Sequence, residues 1–200
     1  MIKNVVLDMG KVLLSFDPYM ILNKVCENEA EKKLIFQNLF ESEEWIMGDR
    51  GEITNEQRYD LVKKRIPESM HEKLKECVMH WDIFMEPIAG AKEFISQCKE
   101  QGMKVYVLSN ACNKFFEYFP KHYDMDVFDG IMVSSKVRLI KPDVRIYELL
   151  CNTYGLTPQE CLFIDDKVEN VEAARKVGLH AFLFEGDYEL VKRELEQIEG

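Results

Sequence analysis

Short apolar runs, each closed by polar residues, constrain this chain most: Asn4–Leu7, Lys104–Leu108, Gly130–Val133, Cys161–Ile164 and Ala181–Phe184. Runs this brief, with no apolar/polar alternation, suit strands buried on both faces, as in a parallel sheet. Helical patterns lie between them. Ala91, Phe94, Ile95 and Cys98 recur at helical spacing, and Gly102 stops that helix. Ile146, Leu149 and Leu150 define a second helix before Gly155, and Val168–Val177 a third before Gly178. Leu190 to Ile198 forms a charged, amphipathic last helix. Strand and helix in alternation predict an α/β fold, a three-layer Rossmann-like core with helices on both faces of a parallel sheet.

The alternation breaks between about Asp17 and Pro87. This stretch has almost no strand signal and is rich in Glu, Lys, Leu and Met. Helical spacing fits Ile21 and Val25, Leu34–Leu39, Tyr59–Arg65 and Met70–Val78, with Gly48-Asp49-Arg50-Gly51 and Pro67 as punctuation. It reads as a helical bundle inserted after the first strand. The expected division is residues 1–15 and 88–200 for the core and 16–87 for an all-helical cap domain.

Charge and cysteine usage remove several function classes. Lys plus Arg is 26 and Asp plus Glu is 36, a formal net charge of −10. Nucleic acid and anionic membrane surfaces repel such a chain unless it carries a basic patch, and its cations are mixed with acids along helical stretches. No run approaches the ~20 apolar residues of a membrane span, and the N-terminal apolar run is too short for a signal peptide. The six cysteines form no CxxC pair and the four histidines no HxH or HExxH cluster, which leaves a zinc site without support. Scattered cysteines without an export signal read as buried free thiols in a reducing cytosol, so the expected location is cytoplasmic. No heptad run is visible, and a monomer is expected.

In an open parallel sheet, ligands bind at the carboxyl ends of the strands. Asp8 follows the first run, Ser109-Asn110 the second, Lys141-Pro142 the third and its loop, and Asp165-Asp166 the fourth. A carboxylate can attack phosphorus and hold the phosphoryl group. Several carboxylates with no histidine or thiolate partner suit a hard ion such as Mg²⁺. Lys supplies a point charge to phosphate, and Ser and Asn supply hydrogen-bond donors. Taken singly, each residue has a plainer reading as a cap or turn residue. Adjacent acids after a buried strand are harder to dismiss, because they repel without a compensating cation.

These motifs resemble the haloacid dehalogenase (HAD) superfamily in its type-I helical-cap branch. They stand here as Val6-Leu-Asp8-Met-Gly10-Lys-Val, Leu108-Ser109-Asn110, Lys141-Pro142-Asp143 and Phe163-Ile-Asp165-Asp166-Lys-Val-Glu-Asn170. The resemblance covers nearly the whole chain, insertion point included. Phe16-Asp17 is similar to the same position in bacterial alpha-glucose-1-phosphatases. The resemblance implies a Mg²⁺-dependent phosphatase acting on a small phosphorylated metabolite, such as a sugar phosphate. Asp8 would be nucleophile and metal ligand, with the Gly10 carbonyl second and Asp166 third. Asp165 would share the metal or orient Lys141. Ser109 and Asn110 would bind phosphate, and Asn170 would brace the metal loop.

One position departs from the family pattern. Most phosphatases of this superfamily carry an Asp general acid two residues after the nucleophile, where this chain has Gly10. Asp17 is a substitute acid on this reading, or else an N-cap before Pro18. Trp45 and Arg50 in the cap could face the substrate. Two alternatives stay open: 2-haloacid dehalogenation, which fits the missing acid, and a non-catalytic sensor of a phosphorylated metabolite.

Overall fold

The computed structural model describes residues 1–199. Among them, five strands, β1 (Asn4–Leu7), β2 (Lys104–Ser109), β3 (Gly130–Val133), β4 (Cys161–Asp165) and β5 (His180–Leu183), form one parallel sheet in the order β3-β2-β1-β4-β5. The central strand β1 sets Val5 opposite Val105 on one side and Leu162 on the other.

Alternate residues of β1 feed two cores, which is why its sequence shows no alternation. Val5 and Leu7 point to a cluster with Val105, Val107, Leu162 and Ile164, while Val6 joins Tyr106, Leu108 and Phe163 on the opposite face.

Helices cover both faces. The first five belong to the insertion: α1 (Pro18–Val25), α2 (Glu29–Ile35), α3 (Glu43–Asp49), α4 (Asn55–Val62) and α5 (His71–His80). Then come α6 (Ala91–Glu100), α7 (Phe115–Tyr118), α8 (Ser134–Val137), α9 (Val144–Tyr154), α10 (Val168–Lys176) and α11 (Tyr188–Glu199). Phe94, Ile95 and Cys98 of α6 and Val191 of α11 pack on the Val5 face, and Ile146 and Leu150 of α9 with Val171 and Ala174 of α10 pack on the Val6 face. The three layers expected from the sequence are therefore present.

Residues between β1 and α6 form helices and turns with no strand among them. Four of these helices start on an N-cap whose side chain accepts from the first turn: Asp17, Asn28, Ser42 and Thr54. The apolar cluster on the Val5 face runs on into this region through Ile21, Leu22, Leu74, Cys77 and Val78. The two passages between core and insertion lie side by side. Ser15 N donates to Glu86 O (2.8 Å) and Ile88 N to Leu13 O (2.9 Å).

Small differences from the sequence reading have local causes. The pattern over Tyr59–Arg65 breaks at Val62 into a tighter turn over Lys63–Arg65. The four-residue helices α7 and α8 are too short to show a period. All six cysteines are buried and unpaired. No described helix is long and apolar enough to cross a membrane.

Candidate active site

Three strand ends and one loop converge. Asp8 directly follows β1, Ser109 ends β2, Asp165 ends β4, and Lys141 precedes α9. Lys141 is the hub. Its ammonium donates to Asp8 Oδ1 (2.7 Å), Asp165 Oδ2 (2.6 Å) and the Leu108 carbonyl (2.8 Å). All three N–H donors are thereby used, at 3% exposure of the residue.

Asn110 fixes where Lys141 enters. Its side-chain amide donates to Lys141 O and accepts from Lys141 N, both at 2.8 Å. The sequence reading gives Asn110 to phosphate; its side chain instead holds the lysine backbone, because a carboxamide can satisfy both groups of one residue at once. Ser109 Oγ is buried and has no hydrogen-bond partner within the protein. A buried hydroxyl left so is costly, and the donor stays free for a ligand.

The two adjacent acids differ sharply. Asp165 is fully buried and accepts four hydrogen bonds: from Lys141, twice from Asn170 Nδ2 (2.9 and 3.0 Å), and from Lys167 N (2.9 Å). Among the described residues Asp166 accepts no such hydrogen bonds, and its one ion pair is a loose contact with the Lys11 ammonium at 4.0 Å. Carboxylate oxygens of Asp8, Asp165 and Asp166 lie within 4.8 Å of one another. Lys11 reaches this region from a left-handed backbone conformation (φ 59°). Such a conformation is uncommon outside glycine and persists where the surroundings impose it.

Burial dominates the electrostatics. It pushes Asp8 up to about 7, against the pull of Lys141 and with help from Asp165. Burial and then the Asp165 charge raise Asp166. For Lys141, burial alone would depress the ammonium; the carboxylates of Asp165 and Asp8 outweigh it and raise the group. A cation between two carboxylates, beside a third, is a site that favours a further positive charge.

Above this floor is a cavity of about 520 Å³. The core contributes Asp8, Gly10, Asn110, Lys141, Asp166 and Lys167; the insertion contributes Phe40, Trp45, Ile46, Asp49 and Trp81, with Phe16 at the passage between them. The aromatic rings pack on one another: Trp45 lies 6.0 Å from Phe16, 4.9 Å from Phe40 and 5.4 Å from Trp81. The buried Arg58 sits 4.5 Å over the Trp45 ring and donates to the Glu44 and Trp45 carbonyls, which fixes that wall. Gly48 makes room for it, since a Cβ there would meet Arg58 Nη2 at 1.7 Å.

Of the residues singled out in the sequence, Asp8, Gly10, Asn110, Lys141, Asp166, Asn170 and Trp45 line this cavity. Arg50 does not; it pairs with Glu43 at 3.1 Å on the surface. Asp17 does not either. It is exposed, and its carboxylate accepts from Tyr19 N (2.9 Å), the capping role that its place before Pro18 allows. Sequence reasoning misses Asp49, Trp81, Phe40 and Lys11 as cavity residues. The signals were the Gly48-Asp49-Arg50-Gly51 break and the aromatics scattered through an otherwise charged helical segment.

A family model for haloacid dehalogenase-like hydrolases matches residues 2–178. The chain belongs to that family. It is 29% identical over 180 residues to the sesquiterpene phosphatase astK of Aspergillus oryzae, covering 88% of this chain and 87% of that protein. It is also 29% identical over 91 residues to (S)-2-haloacid dehalogenase 4A of Burkholderia cepacia, covering 45% of this chain and 39% of that one. In fold it is similar to the HAD family enzyme BT-2542 of Bacteroides thetaiotaomicron, whose structure is a complex with magnesium and inorganic phosphate. The TM-score is 0.76 at 22% identity, over 96% of this chain and 99% of that chain.

Proposed function

We propose that this hydrolase is a magnesium-dependent phosphatase that cleaves a small phosphate monoester through an aspartyl-phosphate on Asp8. The observation that carries the reading is the array of Asp8, Lys141 and Asp165 beside Asp166. It combines a nucleophile, a buried cation and a set of hard oxygen donors at the floor of one cavity.

The donor set fits Mg²⁺, being all oxygen with no histidine or thiolate among its members. Asp8, Asp166 and the Gly10 carbonyl are the groups we assign to the ion. Asp165 is left out, because its four hydrogen bonds commit both oxygens to orienting Lys141 and the Asn170 loop. When bound, Mg²⁺ neutralises phosphate charge that three carboxylates would otherwise repel.

The chain's own residues do the rest. Lys141 holds Asp8 Oδ1, which leaves Oδ2 to attack phosphorus. Ser109 Oγ donates to a phosphate oxygen. Lys11 and Lys167 at the cavity edge add positive charge for the dianion. The insertion acts as a cap that keeps bulk water from the acyl phosphate.

The sequence reading expects a sugar phosphate. The cap wall supports an apolar leaving alcohol better. A sugar's hydroxyls need polar partners when buried, and Phe16, Phe40, Trp45, Ile46 and Trp81 offer few. The A. oryzae relative, a sesquiterpene phosphatase, is in keeping with this. Dehalogenation, with Asp8 attacking carbon, has the B. cepacia relative in its favour but gives Asp166 no role. A non-catalytic sensor would have no use for a lysine-paired nucleophile.

The test is phosphate release from a prenyl monophosphate, glucose 1-phosphate and p-nitrophenyl phosphate, each with and without Mg²⁺. Asp8→Asn runs beside the unaltered chain, and 2-chloropropionate is assayed for chloride. Metal-dependent release that Asp8→Asn abolishes, fastest on the prenyl ester, is the expected result. Chloride release without metal would replace this reading with dehalogenation.

A further inference from the structure

We infer that Asp49 is the general acid and base of the reaction, supplied by the cap in place of the side chain that Gly10 lacks. The inference rests on the phosphatase reading and names the proton donor that reading leaves unassigned.

The cavity settles which groups are available. Its lining holds three carboxylic acids among the described residues: Asp8, Asp166 and Asp49. The first two sit on the core floor with the nucleophile and metal roles. Asp49 enters from the opposite side, at the last residue of α3. Asp17, the other candidate, lies outside the cavity and caps α1.

Asp49 is held against the core although it belongs to the cap. Its backbone carbonyl accepts from Ser134 Oγ (2.5 Å) at the start of α8, and the same hydroxyl accepts from Ala111 N (2.9 Å) beside Asn110. Gly51 makes this approach feasible. It has φ +69°, and a Cβ there would meet the Ser135 carbonyl at 2.2 Å. The cap loop thus closes to backbone contact with the core, and beside that contact Asp49 lines the cavity.

The surroundings suit proton transfer near neutrality. Burial pushes Asp49 up to about 6, against the Arg58 and Lys167 charges and a hydrogen bond from the Cys112 backbone. Cys112 and Tyr118, which also line the cavity, are both raised by burial, Tyr118 far above its ordinary value. Neither is a better donor. A catalytic acid works best with a pKa near the operating pH.

The steps balance. Asp8 attacks phosphorus, the bond from phosphorus to the ester oxygen breaks, and the departing alkoxide takes the Asp49 proton and leaves as alcohol. The Asp49 carboxylate then removes a proton from water as that water attacks phosphorus. The bond to Asp8 breaks, hydrogen phosphate leaves, and Asp49 is protonated again.

Asp49→Asn, assayed on two esters, tests this. General acid help is worth roughly 10² to 10⁴ in rate. The kcat/KM for an alkyl or prenyl phosphate should fall by about that factor. The kcat/KM for p-nitrophenyl phosphate, which reports only the steps up to departure of a leaving group that needs no proton, should change less than about threefold, while its kcat falls because hydrolysis of the acyl phosphate loses its base. The fall of kcat/KM with rising pH above about 6 should vanish for the alkyl ester. Gly10→Asp in the Asp49→Asn background should restore part of the alkyl ester rate, since a Cβ at Gly10 meets nothing within 4 Å. Equal losses of kcat/KM on both esters, or an unchanged alkyl value, would overturn the acid role. Failure of the underlying reading looks different: the unaltered chain would then release no phosphate from either ester.

Discussion

On the core side of the cavity, Lys141 uses all three of its N–H donors and Asp165 accepts four hydrogen bonds. On the cap side, Phe16, Phe40, Trp45 and Trp81 mainly meet one another. The floor is polar, fully connected and mounted on strand ends. The wall is apolar and mounted on helices. A charged site at the end of a buried sheet tolerates no loose partner, because each unmatched charge there is expensive. An aromatic wall fixes shape and polarity, and it can be rebuilt for a new leaving group without touching the chemistry.

Removing the charge at the hub should break the comparison most severely. Lys141→Met leaves Asp8 and Asp165 buried and mutually repelling. Breaking a buried pair from one side costs about 3–5 kcal/mol. Urea unfolding should show a loss of that order together with loss of phosphate release. A loss below about 1 kcal/mol would mean that the floor is far less tightly coupled than its hydrogen bonds indicate.

The pH dependence of stability comes next. Burial raises Asp8 to about 7 and Asp49 to about 6, against an ordinary value of 3.8 for each. Between these values the folded chain holds protons that the unfolded chain has released, so stability falls as pH rises from about 4 to 7. Mg²⁺ competes with those protons at Asp8. Thermal melts should therefore show a larger Mg²⁺-induced rise in Tm at pH 8 than at pH 5. An equal rise at both would detach the metal from Asp8.

The wall is probed by Trp45→Ala. Burying a large apolar side chain is worth about 1.5–3 kcal/mol, so KM for a prenyl phosphate should rise roughly tenfold to a hundredfold. KM for glucose 1-phosphate should move much less. Parallel changes for both esters would mean that Trp45 only supports the cap through Arg58.

The smallest effect concerns a residue belonging to neither surface. Asp17→Ala removes an N-cap and should cost about 1 kcal/mol of stability. Turnover and its pH profile should stay unchanged in steady-state assays. A shifted pH profile would return Asp17 to the acid role.

The sheet was legible because burial on both faces leaves short unbroken apolar runs, and their length and polar flanks favour strands over helices. Val5-Val6-Leu7 and Leu162-Phe163-Ile164 each feed two cores at once. Asp8, Lys141 and the Asp165-Asp166 pair were legible because strand ends deliver side chains to one edge whatever the loops do. The distinction between Asp165 and Asp166 was not, since adjacent acids read alike until one of them accepts four hydrogen bonds. The partner of the Asn110 side chain was not legible for a related reason: a carboxamide suits phosphate and backbone equally, and only the path of the Lys141 loop decides between them.

The sequence by itself determined the α/β architecture, the interruption by helices and the set of groups at the carboxyl edge. Those follow from local apolar pattern and chain order. Tertiary structure decided which cap residues face that edge. Asp49 and Arg50 are neighbours in one turn, yet Asp49 lines the cavity while Arg50 pairs with Glu43 outside it. Helix docking makes that choice, through the contact of Gly51 with the Ser135 carbonyl and the bond from Ser134 to Asp49. Both contacts join residues more than eighty positions apart, a separation that no local pattern encodes.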